Sequence, residues 1–157
     1  MPLSQEQVEQ RIAAIDRAIN PLSERYGRLL NWQNLPDPFW HYGIGLSETY
    51  IFDTGQGLCS FEREEAKFVI GVDAIAFKPE QTIERLKHAL RIFSPWEYTL
   101  TGWNCEHLAR LIATDRPRCY QSSFLWWLCD LSPEGDHKTA RHIFRDYLKQ
   151  VDPNLVR

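Results

Sequence analysis

The sequence predicts an α+β fold, a small antiparallel sheet flanked by helices, and three observations carry that reading. An apolar residue recurs every three or four positions near the start, from Val8 to Leu29. A middle stretch from Trp40 to Phe77 breaks into short β-rich runs separated by turn-forming residues. The helical texture then returns from Pro79 onward, so strands and helices are segregated rather than alternating. The chain has 157 residues, enough for one domain with a real core, and we place no boundary inside 1–157.

The first element opens at Ser4, where Ser4-Gln5-Glu6-Gln7 reads as a capping box. Val8, Ile12, Ile15, Ile19, Leu22, Tyr26 and Leu29 then trace one face of an amphipathic helix. We therefore expect an added N-terminal helical extension over residues 4–30, kinked or restarted at Pro21 with Asn20 as a second cap. Strands are expected at Tyr42–Leu46, Tyr50–Phe52, Phe68–Val72 and Ala74–Phe77, and Cys59 falls in a further one. Ser47-Glu48-Thr49 and Thr54-Gly55-Gln56-Gly57 punctuate them. Pro79 starts a second helix with Ile83, Leu86, Leu90 and Phe93 on one face, ending before Ser94-Pro95. A third should run from Asn104 towards Ala113, and a fourth from about His137 to Gln150.

Composition excludes several classes. A net charge of −3 with balanced acids and bases gives no sign of a nucleic-acid partner. Four cysteines in a chain of this length are too sparse for a disulfide framework, and Cys105 and His107 could form one ligand pair but no second pair at ligand spacing completes a metal site; no cofactor is expected. The Met1–Glu6 start lacks the basic and apolar regions of a secretory leader, and no apolar run reaches about eighteen residues. A cytoplasmic, reduced-thiol setting is the expectation.

The informative constellation is a cysteine, a histidine and an aspartate. Asn104 is a favoured N-cap, which makes Cys105 the first helical residue. A thiol there feels the helix dipole and free N–H groups, which favour the thiolate and could hold a developing oxyanion. Cys59, Cys119 and Cys129 lack that setting and read as structural. On the first strand His41, Gly43 and Gly45 share one face, a strip cleared of side chains, while Tyr42, Ile44 and Leu46 share the core face. Whether Asp53 can serve His41 depends on the parity of the intervening turn. A two-residue turn puts Asp53 opposite Tyr42, on the wrong face. A three-residue loop pairs Leu46 with Tyr50 and puts Asp53 opposite Gly43, diagonal to His41 at roughly 7–8 Å between Cβ atoms. The three residues would then be a nucleophile, a proton carrier and its orienter.

His41-Tyr42-Gly43-Ile44, Asp53 twelve positions on, and the block Asn104-Cys105-Glu106-His107 resemble the lecithin:retinol acyltransferase family, permuted relatives of NlpC-type and papain-like thiol enzymes. The likeness covers about 40–121. It implies a permuted papain-like fold for that core, with 122–157 as a C-terminal aromatic and helical segment. It also implies Cys105 as nucleophile, His41 as general base and Asp53 as orienter, with Asn104, Glu106, His107, Tyr42 and Gly43 in support. The implied chemistry is acyl transfer or lipid-ester cleavage through a thioester on Cys105. The third position is usually histidine in that family, and the aspartate here equally suits an NlpC-like thiol amidase acting on peptides. A binding module that kept the fold without catalysis is the third reading.

Two further features are weighed against plainer readings. Phe52-Asp53-Thr54-Gly55 matches the aspartic-protease signature, but one copy in a helix-rich chain does not make that site. The run Phe124 to Cys129 is expected to pack inside, whereas an exposed Trp126-Trp127 pair would suit peripheral contact with a membrane carrying a lipid substrate. Arg110, Arg116 and Arg118 could meet phosphates or stay solvated, and His88, His137 and His142 read as surface residues.

Overall fold

The computed structural model describes residues 3–33, 36, 39–62, 64–74, 76–94, 96, 103–119 and 135–157, the last span without the side chains of 135–138. Trp126, Trp127, Cys129 and the rest of the aromatic run lie outside the described residues.

The chain forms α1 (Gln5–Ala18), strands β1 (Leu29–Gln33), β2 (Trp40–Gly45), β3 (Tyr50–Asp53), β4 (Gly57–Ser60) and β5 (Ile70–Gly71), then α2 (Pro79–Phe93), α3 (Cys105–Thr114) and α4 (Gly135–Val151). The five strands make one antiparallel sheet in the order β4-β3-β2-β1-β5. Helices and strands are segregated as the sequence predicts, which makes the fold α+β.

The capping box at Ser4 and Gln7 is present, and Val8, Ile12 and Ile15 are buried beneath α1. The expected helix to residue 30 is not. It stops at Ala18, because Ile19 is already extended and Asn20 precedes a proline, which bars the helical region there. Asn20 instead caps a turn by accepting from the Leu22 N–H at 3.1 Å, and Leu22 is 94% exposed. Leu29 opens a strand, so the continued three-and-four spacing was coincidence beyond Ile19. That strand, β1, sits inside the sheet between β2 and β5 and is no extension. The expected strands after residue 67 shrink to Ile70–Gly71. The Ala74 N–H bonds the Val72 carbonyl at 2.9 Å, a tight reversal that turns the chain towards α2.

One sheet face presents Leu29, Tyr42, Ile44 and Phe52 to the main core, where Ile83, Leu86 and Phe93 of α2 and Leu108, Leu111 and Ile112 of α3 meet them. A smaller cluster of Leu30, Trp32, Ile51 and Val69 covers the other face. The strip of Gly43 and Gly45 on that second face is not open, contrary to expectation. A Cβ on Gly43 would collide with the Phe52 carbonyl, and one on Gly45 with the Arg25 carbonyl. These glycines admit neighbouring backbone, not a ligand.

The face-determining turn is the three-residue loop Ser47-Glu48-Thr49. The Leu46 N–H bonds the Tyr50 carbonyl at 3.0 Å, and the register pairs Gly43 with Asp53 and Ile44 with Phe52. Parity therefore puts Asp53 on the His41 face. Among the described residues no helix is long and apolar enough to cross a membrane.

Candidate functional site

Asp53 is the last residue of β3 and only 2% exposed. Its Oδ1 accepts from the N–H groups of Gly55 at 2.6 Å and Gln56 at 3.0 Å, an Asx-type turn that fixes the carboxylate. Its Oδ2 lies 3.3 Å from Nδ1 of His41. The imidazole is held from the other side by Trp32, its cross-strand partner, with ring planes 16° apart and centroids 5.8 Å apart. Phe61 in turn packs edge-on against Trp32.

Cys105 begins α3, as the sequence predicts. Asn104 is extended and its side chain accepts from the His107 N–H at 3.1 Å. Thr54 ties this helix start to the strands. Its hydroxyl reaches the Cys105 carbonyl at 2.7 Å and the Tyr42 carbonyl at 3.2 Å, while its own N–H continues the β2–β3 ladder to Tyr42 for one more residue. The Tyr42 N–H, which a longer β3 would have claimed, instead favours the Cys105 thiolate. A Cβ added at Gly55 would lie 3.5 Å from the Cys105 Cβ and 3.2 Å from Oδ1 of Asp53, which measures how tightly the corner closes. Cys105, Asp53 and the residue after His41 thus meet at the point where β3 ends.

The electrostatics of the sulfur differ from the sequence expectation. Burial pushes the Cys105 thiol up to about 11, and the Asp53 carboxylate adds to the rise; the N–H groups of Tyr42 and Glu106 pull the other way. Helix-start position alone does not make a thiolate when the surrounding water is excluded. At rest the sulfur keeps its proton, so attack on an electrophile needs a base at the moment of reaction.

Behind the sulfur lies a second polar layer. Glu106 is fully buried, with Oε1 2.8 Å from Nε of Arg110 and Oε2 3.3 Å from the Cys119 sulfur. The Arg110 guanidinium sits over the Tyr42 ring at 5.5 Å. His107 stacks on Trp103, planes 14° apart, and so serves packing. Cys119 is the cysteine the sequence misplaced: its sulfur also lies 3.4 Å from Nδ2 of Asn104, so it lines the back of the corner. Its distance from Cys105 in sequence gives no hint of that. Cys59 approaches the Gly57 carbonyl of its own strand at 3.6 Å, and all three described cysteines are free. His88 is half-buried rather than a surface residue, 3.1 Å from the Tyr147 hydroxyl and bridging α2 to α4. The thiol, imidazole and carboxylate ligands needed for a structural zinc do not gather in any group of three among the described residues.

Beside the dyad opens a cavity of about 740 Å³. Asp53, Gln56 and Cys59 form one wall, and Trp32, Trp40 and Phe61 an aromatic one. Thr54, Trp32 and this cavity are the parts sequence reasoning missed. The alternation of Leu30 and Trp32 across Asn31 was the available signal for the strand that supplies the stacking ring.

Compared with known proteins, the chain matches no family model, no curated protein and no solved structure.

Proposed function

We propose that this chain is a cysteine-dependent acyltransferase or lipid esterase working through a thioester on Cys105. One observation carries the reading: a buried carboxylate lies 3.3 Å from His41, at the corner where β3 ends beside Cys105. The order of the parts along the chain, histidine and acid on adjacent strands before a cysteine-headed helix, is also what a permuted papain-like arrangement would require.

In this mechanism the substrate carbonyl approaches along the cavity. His41 removes the thiol proton as the sulfur attacks, and Asp53 holds the imidazole in the needed tautomer and steadies the imidazolium. The N–H groups at the start of α3 hold the oxyanion. The C–O bond breaks, the leaving alkoxide takes the proton from His41, and the acyl group remains on sulfur. Water, an alcohol or an amine then gives its proton to His41 and attacks the thioester, returning the thiol. A carboxylate as third member equally supports a thiol amidase, in which the leaving group is an amine.

Intact-mass spectrometry after incubation with phospholipids and, separately, with acylated peptides tests this. Mass added on Cys105 from phospholipid supports the lipid reading, and mass from acyl peptide alone supports the amidase. No adduct from either across pH 6 to 10, under reducing conditions, sinks both and leaves a binding module.

A further inference from the structure

We infer that the cleft at the C-terminal end of α3 is a binding site for a phosphoryl group. The hollow has a volume of about 290 Å³, and Arg110, Arg116, Arg118 and Arg157 line it beside Thr114. Among the described residues, no carboxylate side chain lines it. In a chain whose net charge is −3, four guanidiniums facing one hollow are a local reversal of sign and not a product of composition.

Of the nearby acids, two are already paired with arginines, and Asp73, beside Ala74 at the rim, is exposed. Asp115, next to Thr114 in sequence, is buried and faces Arg85, Arg141 and Arg145. Glu106 is directed at Nε of Arg110 from inside the core. Arg116 and Arg118 are exposed, and neither meets a carboxylate among the described residues. The cleft is also built rather than loose. Arg110 is pinned between Glu106 and the Tyr42 ring. The Thr114 hydroxyl bonds the Arg110 carbonyl at 2.7 Å and receives the Arg116 N–H at 3.2 Å, which sets the turn carrying Arg116. Arg145 fixes the backbone of Arg157 through its carbonyl at 2.7 Å.

An anion at a helix C-terminus ordinarily meets unpaired carbonyl oxygens. Here that repulsion is reduced: of the last four carbonyls of α3, those of Leu111 and Ile112 are taken by Arg85. Several guanidinium forks around one hollow match a group with three terminal oxygens and up to two charges better than a two-oxygen carboxylate. The volume equals roughly ten waters at about 30 Å³ each, room for a phosphoryl group and a small organic portion. The ligand chemistry is thus a single phosphate, free, on a small molecule, or as a lipid headgroup.

The test is a two-dimensional NMR titration of the full chain with inorganic phosphate, phenyl phosphate, and phosphatidylcholine vesicles with and without phosphatidic acid. Saturable shifts of the 110–118 amides and the arginine Nε–H signals are expected, weakening with added salt. R116Q/R118Q should raise the dissociation constant about tenfold or more, while R17Q, which removes one positive charge from α1 as R118Q does from the cleft, leaves it unchanged. Binding by the soluble phosphates identifies a small-molecule source, and binding only by the acidic vesicles a headgroup. No binding of any probe, or binding that R116Q/R118Q leaves intact, overturns the inference. Both arginines are exposed, so the double variant should keep the wild-type unfolding midpoint; R118Q alone, expected to weaken binding severalfold, repeats the test with one change. The site does not depend on the cysteine chemistry, and a C105S chain should bind phosphate equally.

Discussion

At its C-terminal end α3 meets Arg85, a fully buried guanidinium that donates to the carbonyls of Ile112, Leu111 and Leu155 and to Oδ1 of Asp115. At its N-terminal end the same helix carries a half-buried thiol, its proton held tightly, at the corner where Asp53 meets His41. Both ends bury charge, but they use it differently. Arg85 is surrounded by acceptors and by the Phe77 and Phe144 rings, so its charge is spent on joining α2, α3 and the chain end. Burial still draws its guanidinium down to about 10, against the pull of Asp115. At the N-terminal end the acid lies 3.3 Å from the imidazole and lines a cavity, with the thiol at the same corner. Each guanidinium nitrogen of Arg85 has an acceptor, whereas the N-terminal end is where the proposed chemistry would run.

Substitutions should separate the two ends. The largest effect is expected from C105S, which should remove thioester formation and lower turnover on the order of a millionfold while the fold persists. Acyl-adduct mass and steady-state rate check both halves. D53N comes next, with a rate loss of roughly a hundred- to ten-thousandfold through the wrong imidazole tautomer. Equal loss of folding cooperativity in D53N would erase the contrast between the ends. R85M should do the reverse, lowering stability by about 3–5 kcal/mol in denaturant unfolding because Asp115 and three carbonyls are left buried without their donor. A smaller effect is expected in alkylation. With its thiol raised from 9.0 to about 11, Cys105 should react with iodoacetamide at pH 7 about a hundredfold more slowly than a thiol at its ordinary value. The rate should then climb with pH through about 11, where thiolate formation is half complete; a plateau near neutrality would show a preformed ion pair instead. T54V is the mildest change, about 1–2 kcal/mol of stability from losing the hydroxyl that joins the Cys105 and Tyr42 carbonyls.

Local signals in the sequence were read correctly where local chemistry decides structure. The Ser4 box, Pro79 at a helix start and Asn104 before Cys105 all rest on the backbone needs of one turn, and all three stand in the structure. The loop 47–49 was legible as a condition rather than a result, since alternation fixes which face Asp53 takes once the turn length is known. Long-range features were not. Leu22, Tyr26 and Leu29 keep a helical spacing, yet Pro21 and the Asn20 turn had already ended the helix, and β1 is stabilised by strands that follow it. Arg85 occupies the buried stripe with Thr82 and Ala89, where charge is rarely found, so nothing local announced it. Cys119 meets Glu106 only because the chain folds back after α3. The rise of the Cys105 thiol likewise comes from what covers it, not from its position on the helix.

The three-residue hairpin loop has a consequence for how this chain can vary. Side chains alternate faces along a strand, so adding or deleting one residue among 47–49 would carry Asp53 to the far side of the sheet and strand His41 from its acid. Two residues added together would restore the pairing. Length variants of this hairpin that keep the dyad should therefore differ from this chain by even numbers, a bookkeeping rule for insertions written into the pleat itself.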